Sequence, residues 1–205
     1  MAGKKANIAV QDSGGGTNLQ ALIDAEKNGI IRSGTIRLVV SNNSKAYAVT
    51  RAENAGIRVE ILTKKAMCGG SQEEFERRLT AILEENSIDL IVLAGFMSIL
   101  SEDFTKHFDK RIINVHPSLI PSFCGKGFYG LKVHEAVLKK GVKVTGATVH
   151  FVNEIPDGGE IILQKAVEVE DGDTPEILQK RVMENAEWII LPEAAEKICA
   201  QITGK

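Results

Sequence analysis

Asn7-Ile8-Ala9-Val10-Gln11-Asp12-Ser13-Gly14-Gly15-Gly16-Thr17-Asn18 is the stretch whose reading decides the fold. Asn7–Val10 reads as a short buried strand. It runs straight into a glycine loop and then a helical pattern, with Leu19, Leu22 and Ile23 at i, i+3 and i+4 and Gly29 as a stop. Glycines let the backbone approach a ligand closely, and the free N–H groups that open a helix attract an anion. Thr17 or Asn18 can add side-chain donors, and a phosphate is the natural candidate ligand. A plain, flexible connection between strand and helix is the other reading of the same residues.

Working outward, the alternation continues. Ile36–Val40 is a β-branched run, Ala46–Ala55 suits a helix that stops at Gly56, and Arg58–Leu62 is a short strand. Lys64–Ser71 reads as a loop. Phe75, Leu79, Ile82 and Leu83 trace an amphipathic helix, and Ile88–Ala94 is nearly all apolar, as expected for a strand buried on both faces. Ile112–Val115 enters as another apolar strand, while Thr145–Val152 and the run from Glu160 alternate like strands. The chain from Thr174 reads as a helix, with Pro192 marking a kink or break. Strand–helix alternation followed by strand-rich sequence predicts an α/β fold. It is Rossmann-like: a mostly parallel twisted sheet, helices on both faces and an antiparallel C-terminal extension.

Composition narrows the function classes. The 205 residues are 43% hydrophobic and 25% charged, with five prolines and no internal repeat, which predicts one globular domain over 1–205. A formal net charge of -2 offers no general basic field, so nucleic acid is not expected as a partner. Cys68, Cys124 and Cys199 are few and far apart, matching neither a disulfide framework nor a zinc spacing. No apolar run approaches membrane-spanning length, and Met1–Ala6 shows no signal-peptide pattern. A cytoplasmic setting with no membrane partner and no metal is expected.

The chemistry concentrates in Ile112-Ile113-Asn114-Val115-His116-Pro117-Ser118-Leu119-Ile120-Pro121. Period-two alternation points Asn114 and His116 to one face, and Pro117 holds His116 in extended geometry at a strand end, where ligands bind in α/β sheets. Such a pair can also do no more than bond a neighbouring loop. An Asn amide and an imidazole are the donors that an amine attacking an acyl carbon requires at its developing oxyanion. Asp157, in the turn Asn153–Gly159, could relay the accompanying protons or could be an ordinary turn aspartate. Gly95–Leu100 follows a strand end and could wall a pocket for a flat ligand or be core.

Asn114-Val115-His116-Pro117, with Asp157-Gly158-Gly159 standing 41 residues beyond His116, resembles the Asn/His/Asp signature of the folate-dependent formyltransferases. Leu93-Ala94-Gly95-Phe96-Met97 and Ser13–Gln20 resemble the branch that acts on glycinamide ribonucleotide in purine synthesis. The resemblance covers nearly the whole chain. It implies transfer of the formyl group of 10-formyltetrahydrofolate to the glycyl amine of glycinamide ribonucleotide, by direct attack of that amine and without a metal. Asn114 and His116 would stabilise the oxyanion, and Asp157 would handle protons and hold the His. Gly15, Gly16, Thr17 and Asn18 would cradle phosphate and Glu187 would contact the ribonucleotide, although aligning the run before it needs an extra residue within Met183–Ala186. Met97, Ser98, Ile99, Leu100, Val152 and Asn153 would line the folate pocket. The N-terminal half would thus bind the ribonucleotide and the C-terminal half the folate, in a monomer or homodimer.

Departures from the family pattern also stand out. Gln72 and Ser98 take places where relatives carry arginines near the folate glutamate tail, and Ser122–Gly130 differs from the common version of its loop. A transfer-RNA formyltransferase or a formyltetrahydrofolate deformylase would be expected to carry a further domain, for which this length leaves no room. A dinucleotide-binding oxidoreductase is disfavoured because Leu19 stands where its motif needs Gly or Ala. A non-catalytic sensor of phosphorylated ligands is the remaining alternative.

Overall fold

A computed structural model describes residues 4–95 and 100–205. The chain alternates as β1 (Ala6–Gln11), α1 (Thr17–Lys27), β2 (Gly34–Ser41), α2 (Tyr47–Asn54), β3 (Arg58–Ile61), α3 (Lys64–Met67), α4 (Gln72–Glu85), β4 (Leu90–Leu93), α5 (Glu102–His107) and β5 (Ile112–His116). It continues through α6 (Leu131–Lys140), β6 (Val144–Phe151), β7 (Ile161–Glu168), α7 (Pro175–Val182), a π-helical turn (Met183–Glu187) and α8 (Trp188–Thr203). One sheet runs in the order β3-β2-β1-β4-β5-β6-β7. β1 to β5 are parallel, and β6 and β7 add antiparallel to β5 and to each other. This is the expected mixed α/β architecture.

Burial on both faces explains the apolar strands. Ile8, Val10, Leu90, Val92 and Ile113 face one core, closed by residues of α1, α7 and α8, while Ala9, Leu38, Ile91, Leu93 and Ile112 face the other, closed by α4 and α5. Each fully buried aliphatic side chain contributes about 1.5–3 kcal/mol. The parallel order places the C-terminal ends of β1, β4 and β5 side by side, with the crossovers from β1 and β4 departing in opposite directions along the sheet. That reversal opens a crevice.

Three local expectations change. Lys64–Ser71 contains the single helical turn α3 instead of loop alone, and α5 appears where no periodicity announced it. At six residues α5 is too short to show a stripe; what fixes it is Ser101, whose Oγ accepts Phe104 N–H at 3.2 Å while Glu76 accepts both Ser101 N–H at 2.7 Å and the Ser101 hydroxyl. Pro192 neither kinks off a separate short helix nor ends one: α8 runs through it. The irregularity lies just before α8, in the π-helical turn Met183–Glu187, which is the form one added residue takes inside a helix. Among the described residues, no helix is long and apolar enough to cross a membrane.

Candidate active site

The glycine loop is built from the sequence upward. β1 ends at Gln11, Asp12 accepts Gly14 N–H through Oδ1 at 2.8 Å, and Gly16, at φ 71°, turns the chain into α1. A Cβ on Gly16 would lie 2.8 Å from Ala48 Cα, so only glycine fits between this loop and α2. Arg51 of α2 braces the loop from outside, its Nε donating to Gly15 O at 2.9 Å and Nη1 to Gln20 Oε1 at 3.0 Å. Burial pushes the Asp12 carboxyl up to about 6, against the opposing effects of Gly14 N–H and Arg51. Gly15, Thr17 and Asn18 line the crevice, whereas Gly16 is the hinge behind them. Asn18 Nδ2 donates to Glu187 Oε2 at 2.8 Å, so the side chain assigned to phosphate is tied to the residue assigned to the ribonucleotide. Burial raises the Glu187 carboxyl, and the Asn18 hydrogen bond partly offsets it.

At the neighbouring strand end, Asn114 and His116 share a face with Thr148 and His150, because the antiparallel register sets Asn114 opposite His150 and His116 opposite Thr148. Asp157 arrives from the turn after β6 at φ 56°, a left-handed conformation that Asp tolerates better than most residues. The glycine pair beside it has a steric reason: a Cβ on Gly159 would stand 1.7 Å from Phe151 O. Asp157 Oδ2 lies 3.5 Å from His116 Nδ1 and accepts Gly125 N–H at 2.8 Å, while Oδ1 lies 3.6 Å from His150 Nε2.

Carbonyl oxygens only accept, which assigns the ring protons. His116 Nε2 sits 2.8 Å from Phe123 O and must donate to it, leaving Nδ1 towards Asp157. A further proton on this pair is therefore held between Nδ1 and the carboxylate. His150 Nδ1 donates to Phe151 O at 2.7 Å, so in the neutral ring Nε2 accepts from Asn114 Nδ2 at 3.2 Å and fixes which way the amide points. Burial lowers the His116 pKa despite the opposing pull of Phe123 O and Asp157. Burial also pushes Asp157 up, but His150, Gly125 N–H and His116 together outweigh it and hold the carboxyl below the usual range.

The cleft has a volume of about 790 Å³ and joins these groups. Gly15, Thr17, Asn18, Asn114, His116, Asp157 and Glu187 all line it, as do Leu100, Val152 and Asn153. Met97, Ser98 and Ile99 lie outside the described residues. His150 is the member the sequence reading passed over. It was visible as a polar residue two positions after Thr148 in an otherwise apolar strand, but only the register places it against Asn114. In one respect the geometry departs from expectation: the His116 Nε2 proton is engaged by Phe123 O, so its donation to an oxyanion requires the Ser122–Gly130 loop to withdraw or the ring to turn over. Among the described residues, no group of three His, Cys, Asp or Glu side chains is placed to hold a metal ion.

The doubly wound α/β sheet brings the glycine loop after β1 and the Asn114/His116/Asp157 cluster to one crevice at its parallel strand ends. The sequence pattern described as formyl transferase matches residues 6–195, and the chain belongs to that family. It is 45% identical over 196 residues to the Trifunctional purine biosynthetic protein adenosine-3 of Gallus gallus, covering 96% of this chain and 19% of that protein. It is 42% identical over 176 residues to the Phosphoribosylglycinamide formyltransferase of Escherichia coli K12, covering 86% of this chain and 79% of that one. The fold superposes on glycinamide ribonucleotide transformylase 1 from Symbiobacterium toebii with a TM-score of 0.88 at 38% identity, covering 96% and 89% of the two chains. The chain thus spans about a fifth of the trifunctional relative's length and most of the length of the bacterial ones.

Proposed function

We propose that this chain transfers the formyl group of 10-formyltetrahydrofolate to the glycyl amine of glycinamide ribonucleotide, giving the N-formyl product and tetrahydrofolate in purine synthesis. The observation that supports this best is a single cleft shared by a phosphate loop, an Asn/His/Asp cluster and the apolar Leu100 and Val152. The bacterial relative's name, phosphoribosylglycinamide formyltransferase, supports the reading. In the reaction the amine nitrogen attacks the formyl carbon, a C–N bond forms and the carbonyl oxygen becomes anionic. Asn114 Nδ2 and a His116 N–H stabilise that oxygen. The amine proton passes to Asp157, directly or through water, and a proton is returned to the folate nitrogen as its bond to carbon breaks. Gly15, Gly16, Thr17 and Asn18 seat the phosphate through backbone N–H groups and Glu187 holds the ribonucleotide. Leu100, Val152 and Asn153, with Met97, Ser98 and Ile99, line the folate side.

All of these residues come from one chain, which we take as one formyltransferase unit over 1–205 with ribonucleotide binding in its N-terminal half and folate binding with catalysis in its C-terminal half. It works as a monomer or homodimer in the cytoplasm, without metal, nucleic acid or membrane. The test is direct: purified protein is mixed with glycinamide ribonucleotide and 10-formyltetrahydrofolate and tetrahydrofolate is followed. Release that depends on the ribonucleotide is expected. Release of formate in its absence would instead mark a hydrolase, and binding without turnover a sensor.

A further inference from the structure

A bound ribonucleotide phosphate carries close to two negative charges, yet the loop assigned to it supplies no cationic side chain. The cleft is otherwise acidic, with Glu154, Asp157 and Glu187 on its walls. Arg51, the arginine that braces this loop, is committed: its guanidinium bonds Gly15 O and Gln20 and lies 4.8 Å from the centre of the Tyr47 ring, and it does not line the cleft. Lys126 is the one lysine among the described cleft residues, and no arginine joins it. It is exposed, and no acceptor engages its ammonium among the described residues. It rides the loop between β5 and α6, flanked by Gly125 and Gly127 at φ 85° and 96°. The approach to it is anchored on the catalytic groups by His116 to Phe123 O and by Gly125 N–H to Asp157.

We infer that Lys126 is the cationic ligand of the substrate phosphate, completing from the β5–α6 loop a site that the β1–α1 loop begins with backbone N–H groups alone. The inference rests on the proposed ribonucleotide reading and names a specificity residue within it. A charge-assisted contact of this kind discriminates a phosphorylated acceptor from its dephosphorylated counterpart by about tenfold or more.

The experiment compares wild type with Lys126→Met and Lys126→Arg in steady-state kinetics with glycinamide ribonucleotide and with the corresponding riboside. Lys126→Met is expected to raise KM for the ribonucleotide about tenfold or more, to change kcat and the folate KM by less than about twofold, and to leave the riboside parameters unchanged. Lys126→Arg restores most of the affinity. An unchanged ribonucleotide KM, or an equal loss with the riboside, overturns the assignment. If wild type turns over neither acceptor, the proposed reaction fails on its own. Calorimetric titration of both proteins with ribose 5-phosphate then still decides the matter for Lys126, with weaker binding by the Met variant expected and equal binding overturning it.

Discussion

The two sides of the cleft work by different means. On the β1 side, the proposed recognition falls to the backbone: Gly15 and the start of α1 line the cleft, and side chains such as Arg51 and Asp12 brace the loop from behind. On the β5–β6 side the backbone acts mainly as scaffold. Asn114, His116, His150 and Asp157 present functional atoms whose proton positions are dictated by the carbonyls of Phe123 and Phe151. An anion of fixed shape can be held by peptide dipoles that need no titration. A reaction that moves protons needs groups that change charge, and those must be held individually. Damage on the first side should therefore weaken binding, and damage on the second should slow turnover.

The sharpest break of that division is Asp157→Asn. The amide cannot accept the proton, so kcat is expected to fall by about a thousandfold with ribonucleotide affinity nearly intact, measured by single-turnover kinetics and equilibrium binding. A comparable loss of affinity would place Asp157 on the binding side instead. Gly16→Ala tests the opposite wall. Its φ of 71° and the 2.8 Å approach to Ala48 force the loop to move, and the ribonucleotide KM should rise by about thirtyfold with kcat within a fewfold. A variant of unchanged KM would show that the loop does not carry the phosphate.

His150→Ala leaves Asn114 Nδ2 without the acceptor that orients it. About a tenfold loss of kcat is expected, smaller than for Asp157 because the amide is loosened and not removed. A rate equal to wild type across the pH range would exclude a positioning role. The smallest effect concerns stability. Burial pushes the Asp12 carboxyl from the usual 3.8 up to about 6, so between those values the folded chain binds more protons than the unfolded one. Stability therefore falls as pH rises through that window, and the penalty is full above it. Asp12→Asn keeps an acceptor for Gly14 N–H while removing the buried charge. It should stabilise the protein by on the order of 1–2 kcal/mol at about pH 8 and by nothing at about pH 4 in thermal melts. Equal gains at both values would assign the effect to something other than ionisation.

Legibility divided along the same line. The glycine loop was readable because its parts are contiguous: an apolar strand, three glycines and a helical stripe lie within one stretch, the local backbone pattern that favours an anion. Asn114 and His116 were readable as a pair for the same reason, two positions apart on one strand. His150 was not, since nothing local says that β6 returns antiparallel beside β5 in the register that sets it opposite Asn114. α5 was hidden by its length, and no periodicity in the run from Thr174 marked the π-helical turn before α8.

By itself, then, the sequence determined the alternating architecture and singled out the glycine loop and the Asn114/His116 pair as candidates, because hydrophobic period, glycine freedom and side-chain type act over a few neighbouring residues. Only the tertiary structure decided which residues meet across the sheet edge. Strand register set His150 opposite Asn114, helix packing brought Asn18 to Glu187, and the loops after β6 and β5 carried Asp157 to His116 and Lys126 into the same cleft. Those contacts join residues distant along the chain, and what holds them together is the packing of two cores around one sheet.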